Sequence, residues 1–288
     1  MAVTVRHPEW LKVRLPHGEI FQEVRAVVQN HHLHTVCESA RCPNRAECWG
    51  RHTATFMILG DICTRSCRFC AVKTGLPAEP DRSEPHRVAE AVKQLKLRHA
   101  VITSVNRDDL ADGGAGSFAE TIRQIRRESP GCRVEVLIPD FKGDRDALNT
   151  VLKALPDILN HNVETVPRLY GEVRPQAQYA RSLRVLEESR RQGMVTKSGL
   201  MVGLGETSGE VLEVMRDLRE TGCRILTIGQ YLQPTKSHLP VDRFVHPKEF
   251  KLYREEGLQM GFQFVESGPL IRSSYHADKI KIAQKPGF

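Results

Sequence analysis

The sequence predicts an α/β fold in which six strand–helix units in series build a parallel sheet with helices outside it. Three observations lead to this prediction. The chain of 288 residues is long enough to bury a sizeable core. Six short apolar segments rich in β-branched residues alternate with segments of helical periodicity, which is typical of repeated β-then-α units. None of these six segments contains proline, as expected for strands that are buried on both faces.

The predicted units follow one another along the chain, each strand with its helix. The strands are predicted at residues 55–59, 100–105, 133–138, 158–163, 195–202 and 224–228. The helices are predicted at residues 87–97, 117–128, 145–154, 178–191, 209–221 and 247–260. Glycine-containing or polar loops follow four of the strands: Gly60 with a cysteine-rich stretch, then 106–109, 203–206 and 229–231. Since ligands bind beyond the carboxyl ends of parallel strands, these loops are expected to carry the chemistry.

The number of units and the flanking segments define the expected architecture. Six units fall short of a complete barrel, so we expect a partial (β/α)6 TIM-like barrel over residues 54–260, with a doubly wound sheet as the alternative. The N-terminal extension, residues 1–53, holds three cysteines, and the C-terminal extension, residues 261–288, holds Arg272-Ser273-Ser274-Tyr275. We expect the two extensions to fold together as a cap over one face of the barrel.

Composition and charge narrow the class of protein. The contents of 40% hydrophobic and 27% charged residues are ordinary for a globular protein, and no apolar run is long enough for a membrane span. Residues 1–17 are polar and lack the apolar stretch of a secretory signal, which predicts the cytoplasm, or an organelle after processing. The net charge is +7, but the basic residues scatter along predicted helices. This pattern indicates solvated helix faces or an acidic protein partner rather than nucleic-acid binding.

Six of the eight cysteines fall between residues 37 and 70. Structural disulfides are not expected in a reducing compartment, so this crowding indicates metal or redox chemistry. The other two, Cys132 and Cys223, are interpreted as buried bystanders.

The first cysteine group follows the first predicted strand with the spacing C-x-x-x-C-x-x-C. It consists of Cys63, Cys67 and Cys70. Three thiolates on a short loop can bind three irons of a [4Fe-4S] cluster, and no fourth cysteine follows. One iron is therefore expected to remain open for a substrate or cofactor, as in catalytic metal sites. A zinc site is the alternative, although zinc usually takes four ligands in two pairs.

The second cysteine group lies in the N-terminal extension with the spacing C-x-x-x-x-C-x-x-x-x-x-C. It consists of Cys37, Cys42 and Cys48, and it too lacks a fourth cysteine. Coincidental buried cysteines are the alternative reading. Three thiols within twelve residues, directly before another such loop, favour a second metal site.

These patterns together resemble a known family. The position and spacing of Cys63, Cys67 and Cys70 are similar to those of the radical S-adenosylmethionine (SAM) superfamily. The second group, with its neighbours, is similar to the auxiliary-cluster motif of the lipoyl synthases, and the resemblance runs from about Trp10 to Asp278. It includes the stretches 33–38, 47–50, 54–61, 101–105, 107–110, 112–115, 160–165, 197–206, 229–234 and 268–277.

The resemblance implies the cofactors and the reaction. It implies two [4Fe-4S] clusters and SAM, which is cleaved to give a radical that abstracts hydrogen from unactivated carbon. Two sulfur atoms would be inserted at C6 and C8 of an octanoyl group on a carrier lysine. It also implies that Ser274, with Ser273 as the fallback, is the fourth ligand of an auxiliary cluster that donates sulfur and is consumed.

Several further residues have both a functional and a structural reading. By family analogy Phe69 lies near the adenine of SAM. Glu164 ends the fourth predicted strand, and Lys197 and Glu206 flank the fifth, which predicts contacts with SAM for these three residues. A core aromatic and buried, paired structural charges are the alternatives. Arg272 is expected either to help hold the auxiliary site or to bind a substrate.

The resemblance also implies partners. These are octanoylated carrier domains (the acyltransferase subunit of a 2-oxoacid dehydrogenase and the glycine-cleavage H protein), a flavodoxin or ferredoxin as electron donor, and iron–sulfur carrier proteins. No nucleic acid and no membrane are expected as partners. The alternatives in function are another radical SAM sulfur-inserting enzyme, or a non-catalytic zinc-binding module.

Overall fold

The computed structural model describes residues 8–12, 18–51, 53–275 and 277. In the predicted N-terminal extension, residues 1–7, 13–17 and 52 therefore lie outside the described residues. In the predicted C-terminal extension, residues 276 and 278–288 do. The strands are β1 His34–Thr35, β2 Thr55–Ile58, β3 Ile62–Cys63, β4 Lys73–Thr74, β5 His99–Ser104, β6 Arg133–Leu137, β7 Ile158–Asn160, β8 Thr196–Val202, β9 Ile225–Gln230 and β10 Phe264–Gly268. The helices are α1 Glu19–Asn30, α2 Val36–Ser39, α3 Arg45–Trp49, α4 Glu84–Gln94, α5 Ala115–Glu128, α6 Arg145–Lys153, α7 Tyr170–Val173, α8 Tyr179–Arg191, α9 Ser208–Glu220 and α10 Pro247–Gln259.

The main sheet follows chain order and is open. Its strand order is β1-β2-β5-β6-β7-β8-β9-β10, and all neighbours pair in parallel except β1, which runs antiparallel along β2. Within the described ranges the two edge strands, β1 and β10, do not pair with each other. The predicted partial barrel is thus confirmed, and each of its six predicted strands is present in the sheet.

Strand β10 adds a seventh parallel strand that the sequence analysis placed in the C-terminal extension. It pairs along its whole length with β9, from Phe264 opposite Ile225 to Gly268 opposite Gly229. Only Val265 of its five residues is fully buried, so it lacks the apolar run by which the other strands were recognised. The C-terminal motif therefore follows directly on a sheet strand.

Helices cover the outer face of the sheet. Side chains next to the first turn cap the N-termini of two of them. At α9, Thr207 and Glu210 form a reciprocal capping box, and at α6 the side chain of Asp144 accepts the backbone N–H groups of residues 146 and 147. Buried aliphatic faces of α4 and α5 pack on the first half of the sheet, and α9 and α10 pack on the second half. None of the helices in the described part of the chain combines the length and apolarity needed to cross a bilayer.

A buried polar cluster lies inside the barrel, on the strands β5 to β8. The Lys197 ammonium donates to a Glu135 carboxylate oxygen at 2.8 Å, and His99 Nε2 lies 3.2 Å from the other oxygen. Lys197 and Glu135 are both fully buried. Burial by itself would raise the pKa of Glu135, but Lys197 and His99 outweigh it and hold that pKa at about 2. Lys197 and Glu135 therefore form an ion pair that links β8 to β6 inside the barrel.

We expect Lys197→Met to lower the free energy of unfolding by about 3–5 kcal/mol, because it leaves the Glu135 carboxylate buried without its main partner. The double variant Glu135→Gln/Lys197→Met removes both charges and should recover most of that loss. In the parent chain the contribution of Glu135 to the free energy of unfolding is complete above the ordinary glutamate pKa and is lost as the pH falls towards 2. This pH dependence of the stability should be absent from Lys197→Met. Urea unfolding followed by circular dichroism at several pH values measures both effects. Equal stabilities of the single and double variants would contradict this account.

Candidate active site

A cavity of about 530 Å³ opens at the carboxyl ends of the parallel strands. This volume is typical of a small-molecule site. Its wall contains residues of both cysteine groups, of the strand ends and of the C-terminal motif. The predicted site residues found there are Cys37, Cys42, Cys48, Cys63, Cys67, Phe69, Cys70, Glu164, Arg272, Ser273 and Ser274. The fold thus brings two separate cysteine segments and a distant serine pair to one concave space.

The first cysteine group begins at Cys63, the last residue of β3, and continues with Cys67 and Cys70 on the loop that connects β3 to β4. These two short strands pair in parallel. The sulfur of Cys63 accepts the backbone N–H groups of Arg65 at 3.4 Å and of Asn106 at 3.3 Å. A turn brings the Cys70 N–H to the Cys67 carbonyl at 3.0 Å. The Cys70 carbonyl in turn lies 2.9 Å from His238 Nε2. These bonds attach the loop to the barrel on two sides.

Arg65 provides the strongest anchor of this loop. It is 4% exposed, and its guanidinium donates to both carboxylate oxygens of Asp108, at 2.7 and 2.9 Å, and to Asp140 at 2.6 Å. Asp140 also accepts from Arg181 at 3.2 Å. Although burial acts against it, the guanidinium of Arg65 holds the pKa of Asp140 down at about 2. Because such bidentate pairs fix geometry, the cysteine loop has a set position before any ligand binds.

The second cysteine group lies on two short helices of the N-terminal extension. Cys37 is on α2, whose first turn is capped by the Thr35 hydroxyl, and Cys48 is on α3. Between the helices, the Cys42 N–H donates to the Cys37 carbonyl at 3.1 Å. All three residues line the same cavity.

The C-terminal motif is attached directly to this cysteine segment. Asn44 Nδ2 donates to the carbonyl of Leu270 at 2.6 Å, and the Tyr275 hydroxyl donates to the Glu47 carboxylate at 3.0 Å. These contacts cross 226 and 228 residues of sequence. Ser273 and Ser274 lie between the two anchors and line the cavity. The serine pair is therefore held beside the second cysteine group.

Burial keeps most of the site thiols protonated in the absence of a ligand. It raises the pKa of Cys37 and of Cys67 to about 11, raises that of Cys70 to about 12, and raises that of Cys48 further. All eight cysteines lie in the described part of the chain, and all are free. A soft metal that binds these thiols as thiolates must therefore displace protons. In the described ranges no three His, Cys, Asp or Glu side chains converge closely enough for a single metal ion.

Four buried polar atoms in the cavity wall have no hydrogen-bond partner. They are Ser104 Oγ, Asn106 Oδ1, Asn162 Oδ1 and Arg174 Nε. Since buried polar atoms are nearly always paired in folded proteins, such a group indicates the place of a polar ligand. They lie at the carboxyl ends of β5 and β7 and on α7's C-terminal side, facing the first cysteine group. Asn106 lies in a loop that the strand pattern predicts to carry chemistry, whereas no sequence signal predicted a role for these four residues.

Glu164 is one of two non-glycine residues of the described cavity wall with a left-handed backbone, the other being Arg41 with a φ of +50°. The φ of Glu164 is +67°, and the residue bridges to Leu200 of β8. Its carboxylate accepts from Asn162 Nδ2 at 3.1 Å. Burial raises the pKa of Glu164, and the neighbouring Arg174 acts against that rise. Strain at a non-glycine residue in a cavity wall is typical of functional positions.

Lys197 and Glu206, which were expected to contact SAM, have other surroundings. Neither is in the cavity wall. Lys197 pairs with Glu135 inside the barrel, because its side chain points inward one layer below the strand ends. Glu206 accepts the backbone N–H groups of Gly203 at 2.6 Å and of Leu204 at 2.9 Å, so it closes the turn after β8. In contrast, Phe69 does line the cavity.

Two family models and several known proteins match this chain. The family model of the radical SAM superfamily matches residues 57–218, and the model of the N-terminal domain of lipoyl synthase of that family matches residues 2–42. A lipoyl synthase of Rubrobacter xylanophilus is 64% identical over 272 residues, covering 94% of this chain and 85% of that protein. One of Chlorobaculum parvum is 58% identical over 275 residues, covering 95% and 94%.

A solved structure agrees with the fold. The FeFe-hydrogenase maturase HydG from Carboxydothermus hydrogenoformans superimposes with a TM-score of 0.57 at 15% identity, covering 90% of this chain and 77% of that one. At that identity the likeness concerns the barrel fold alone.

Proposed function

This chain belongs to the lipoyl synthases, and from that membership we propose how its own residues carry out the reaction. Lipoyl synthases are radical SAM sulfurtransferases that use SAM and [4Fe-4S] clusters. They insert two sulfur atoms, at C6 and C8 of a protein-bound octanoyl-lysine, to form the lipoyl cofactor. The match to the N-terminal domain of lipoyl synthase separates this chain from other radical SAM sulfur-inserting enzymes and from a zinc-binding module.

The observation that carries the proposal is that six thiols and a serine pair line one cavity. We assign Cys63, Cys67 and Cys70 to the cluster that binds SAM. Cys37, Cys42, Cys48 and Ser274 are assigned to the auxiliary cluster. When bound, the first cluster supplies the electron that cleaves SAM, and the second supplies sulfur. Three thiolate ligands would leave one iron of the first cluster free to bind SAM, and a serine ligand in place of a fourth thiolate would suit a cluster that gives up its sulfur.

The SAM molecule would be held by the polar groups that have no partner in the cavity wall. Ser104, Asn106 and Asn162 offer oxygen atoms for its hydroxyl and ammonium groups, and the Arg174 guanidinium offers a donor for its carboxylate. We assign Glu164 to the same set, with Phe69 against the adenine. Lys197 and Glu206 then act indirectly, by fixing β8 and the turn that follows it.

The rest of the wall suits an acyl chain. Aliphatic and aromatic side chains in the same cavity wall include those of Met57, Val105, Leu137, Leu200 and Tyr231. A saturated eight-carbon chain gains free energy by burial against such a surface, and its exclusion of water protects a carbon radical. Because the first cysteine group lies within residues 54–260, we assign this barrel to the binding of SAM. The second cysteine group and the serine pair lie in the extensions, residues 1–53 and 261–288, which we assign to the auxiliary site.

The partners follow from the substrate. The octanoyl-lysine belongs to a lipoyl carrier domain, and we propose the acyltransferase subunit of a 2-oxoacid dehydrogenase and the glycine-cleavage H protein. The net charge of +7 would favour an acidic carrier surface. We also propose a flavodoxin or ferredoxin as electron donor, iron–sulfur carrier proteins as the source of new clusters, and the cytoplasm as the compartment.

The test is the metal content and product of the protein reconstituted without oxygen. About eight irons per chain are expected for two [4Fe-4S] clusters. With SAM, reductant and an octanoylated carrier, the protein should form lipoyl groups and two molecules of 5′-deoxyadenosine for each. Zinc in place of iron, or no more than about four irons per chain, would defeat the two-cluster assignment.

A further inference from the structure

Arg272 is a half-buried cation in the cavity wall that has no acidic partner among the described residues. Its Nη1 donates to the carbonyl of Ile271 at 2.7 Å, which is a bond to its own neighbour in the chain. The ionisable group that interacts with its charge is the side chain of Cys42, in the second cysteine group. Removing a cation from water without a counter-charge is costly, so this arrangement indicates a missing anion.

The other cavity arginines differ from Arg272 in burial, in pairing or in position. Arg174 is buried and donates to the backbone carbonyls of Asn162 and Val163, but its charge acts on Cys67 of the first cysteine group. Arg65 is paired with two aspartates, Asp108 and Asp140. Arg41, next to Cys42 in sequence, is exposed and donates to the Pro234 carbonyl at 3.3 Å. Among the described residues, Arg272 is thus the one cation of the cavity wall that is half-buried or more, lacks a carboxylate partner and lies beside the second cysteine group.

The fold also holds the Arg272 guanidinium in place. It lies over Gly229 at the carboxyl end of β9, where a Cβ atom would come within 3.3 Å of its Nη1 and within 2.1 Å of the Ile271 carbonyl oxygen. The Asn44–Leu270 and Tyr275–Glu47 hydrogen bonds fix the chain on either side. The cation is therefore built into the site and cannot simply withdraw into solvent.

We propose that Arg272 supplies the counter-charge of the auxiliary cluster. The inference rests on the proposed function, because its ligand is the cluster that Cys37, Cys42, Cys48 and Ser274 would hold. Four anionic ligands exceed the positive charge of an oxidised cluster core, so the ligated cluster is net negative. A fixed cation in a wall of low dielectric favours the more negative, reduced state and thus raises the reduction potential.

The test uses the full chain with Cys63, Cys67 and Cys70 replaced by alanine, so that only the auxiliary cluster is measured. Arg272→Gln in this background should bind about four irons, and its one-electron midpoint should fall by at least about 59 mV, a tenfold change in the redox equilibrium. Arg272→Lys keeps the charge and should move the midpoint by less than half as much. Arg41→Gln removes an exposed cation next to the same cysteine and serves as the matched control, with a similarly small shift expected.

Each outcome decides the question. An unchanged midpoint in Arg272→Gln overturns the inference. If the glutamine variant loses iron while the lysine variant keeps it, the charge is required and the inference is supported. Loss of iron from both variants assigns Arg272 a purely structural role and overturns it. If the parent triple-alanine background binds no iron, the proposed function itself fails, which separates the two failures.

Discussion

Removing either cysteine group should abolish lipoyl formation, but by two distinguishable routes. In Cys63→Ala/Cys67→Ala/Cys70→Ala, SAM cleavage should fall to the level measured without enzyme, because no cluster remains to deliver an electron to SAM. In Cys37→Ala/Cys42→Ala/Cys48→Ala, cleavage of SAM to 5′-deoxyadenosine should persist while no sulfur is inserted. The two groups sit on separate elements, the β3–β4 loop and the α2–α3 segment, so each should fill without the other.

The measurements are iron and sulfide per chain, 5′-deoxyadenosine and lipoyl product, on anaerobically reconstituted protein. Each variant should retain about four irons. Cys132→Ala is the matched control, because that thiol is buried in the core away from the cavity and should leave the iron content at about eight. If the second variant failed to cleave SAM, the two sites would not be independent and the division of labour would be wrong.

The neighbouring serines should differ sharply. Ser274→Ala should lower lipoyl formation by more than about 100-fold, beyond the loss typical of an outer partner of a metal site, because it removes a ligand of the sulfur-donating cluster. Ser273→Ala should change the rate by less than about tenfold, which is about 1.4 kcal/mol of activation free energy. Both residues line the cavity, so the pair controls for local packing.

Rates of lipoyl formation and of 5′-deoxyadenosine formation check this prediction together. In Ser274→Ala the SAM cluster is intact, and the deoxyadenosine should still form. The reverse result, with Ser273→Ala inactive and Ser274→Ala active, would move the fourth ligand by one residue. Equal activity of both variants would remove serine from the auxiliary site altogether.

Much of the fold could be predicted because the strand segments carry their own pattern. The stretch 100–105 is apolar and β-branched, and β5 indeed covers His99–Ser104. Strand β10 could not be predicted in the same way. Four of its five residues are partly exposed, and it is held by pairing with β9, a long-range contact that no local pattern reports.

The same distinction between local patterns and long-range contacts applies to the site. Cysteine spacing is a local signal, so the two cysteine groups could be located from sequence, and the structure places those six thiols around one cavity. A polar residue at a strand end gives no such signal of direction. Lys197 and Asn162 are two such residues, yet one points into the barrel towards Glu135 and the other points into the cavity. Which way each side chain faces depends on the register of the neighbouring strands.

The attachment of Leu270 and Tyr275 to Asn44 and Glu47 has a consequence for biosynthesis. The ribosome delivers the N-terminal cysteine segment first, and domains fold in that order during synthesis. The partners that complete this segment emerge 226 and 228 residues later. During translation Cys37, Cys42 and Cys48 are thus without the C-terminal residues of their site. Other metal ions and oxidants can reach these thiols until nearly the whole barrel has been made. If this segment holds the auxiliary cluster as proposed, we expect that cluster to be inserted after release of the chain, as a final step of maturation.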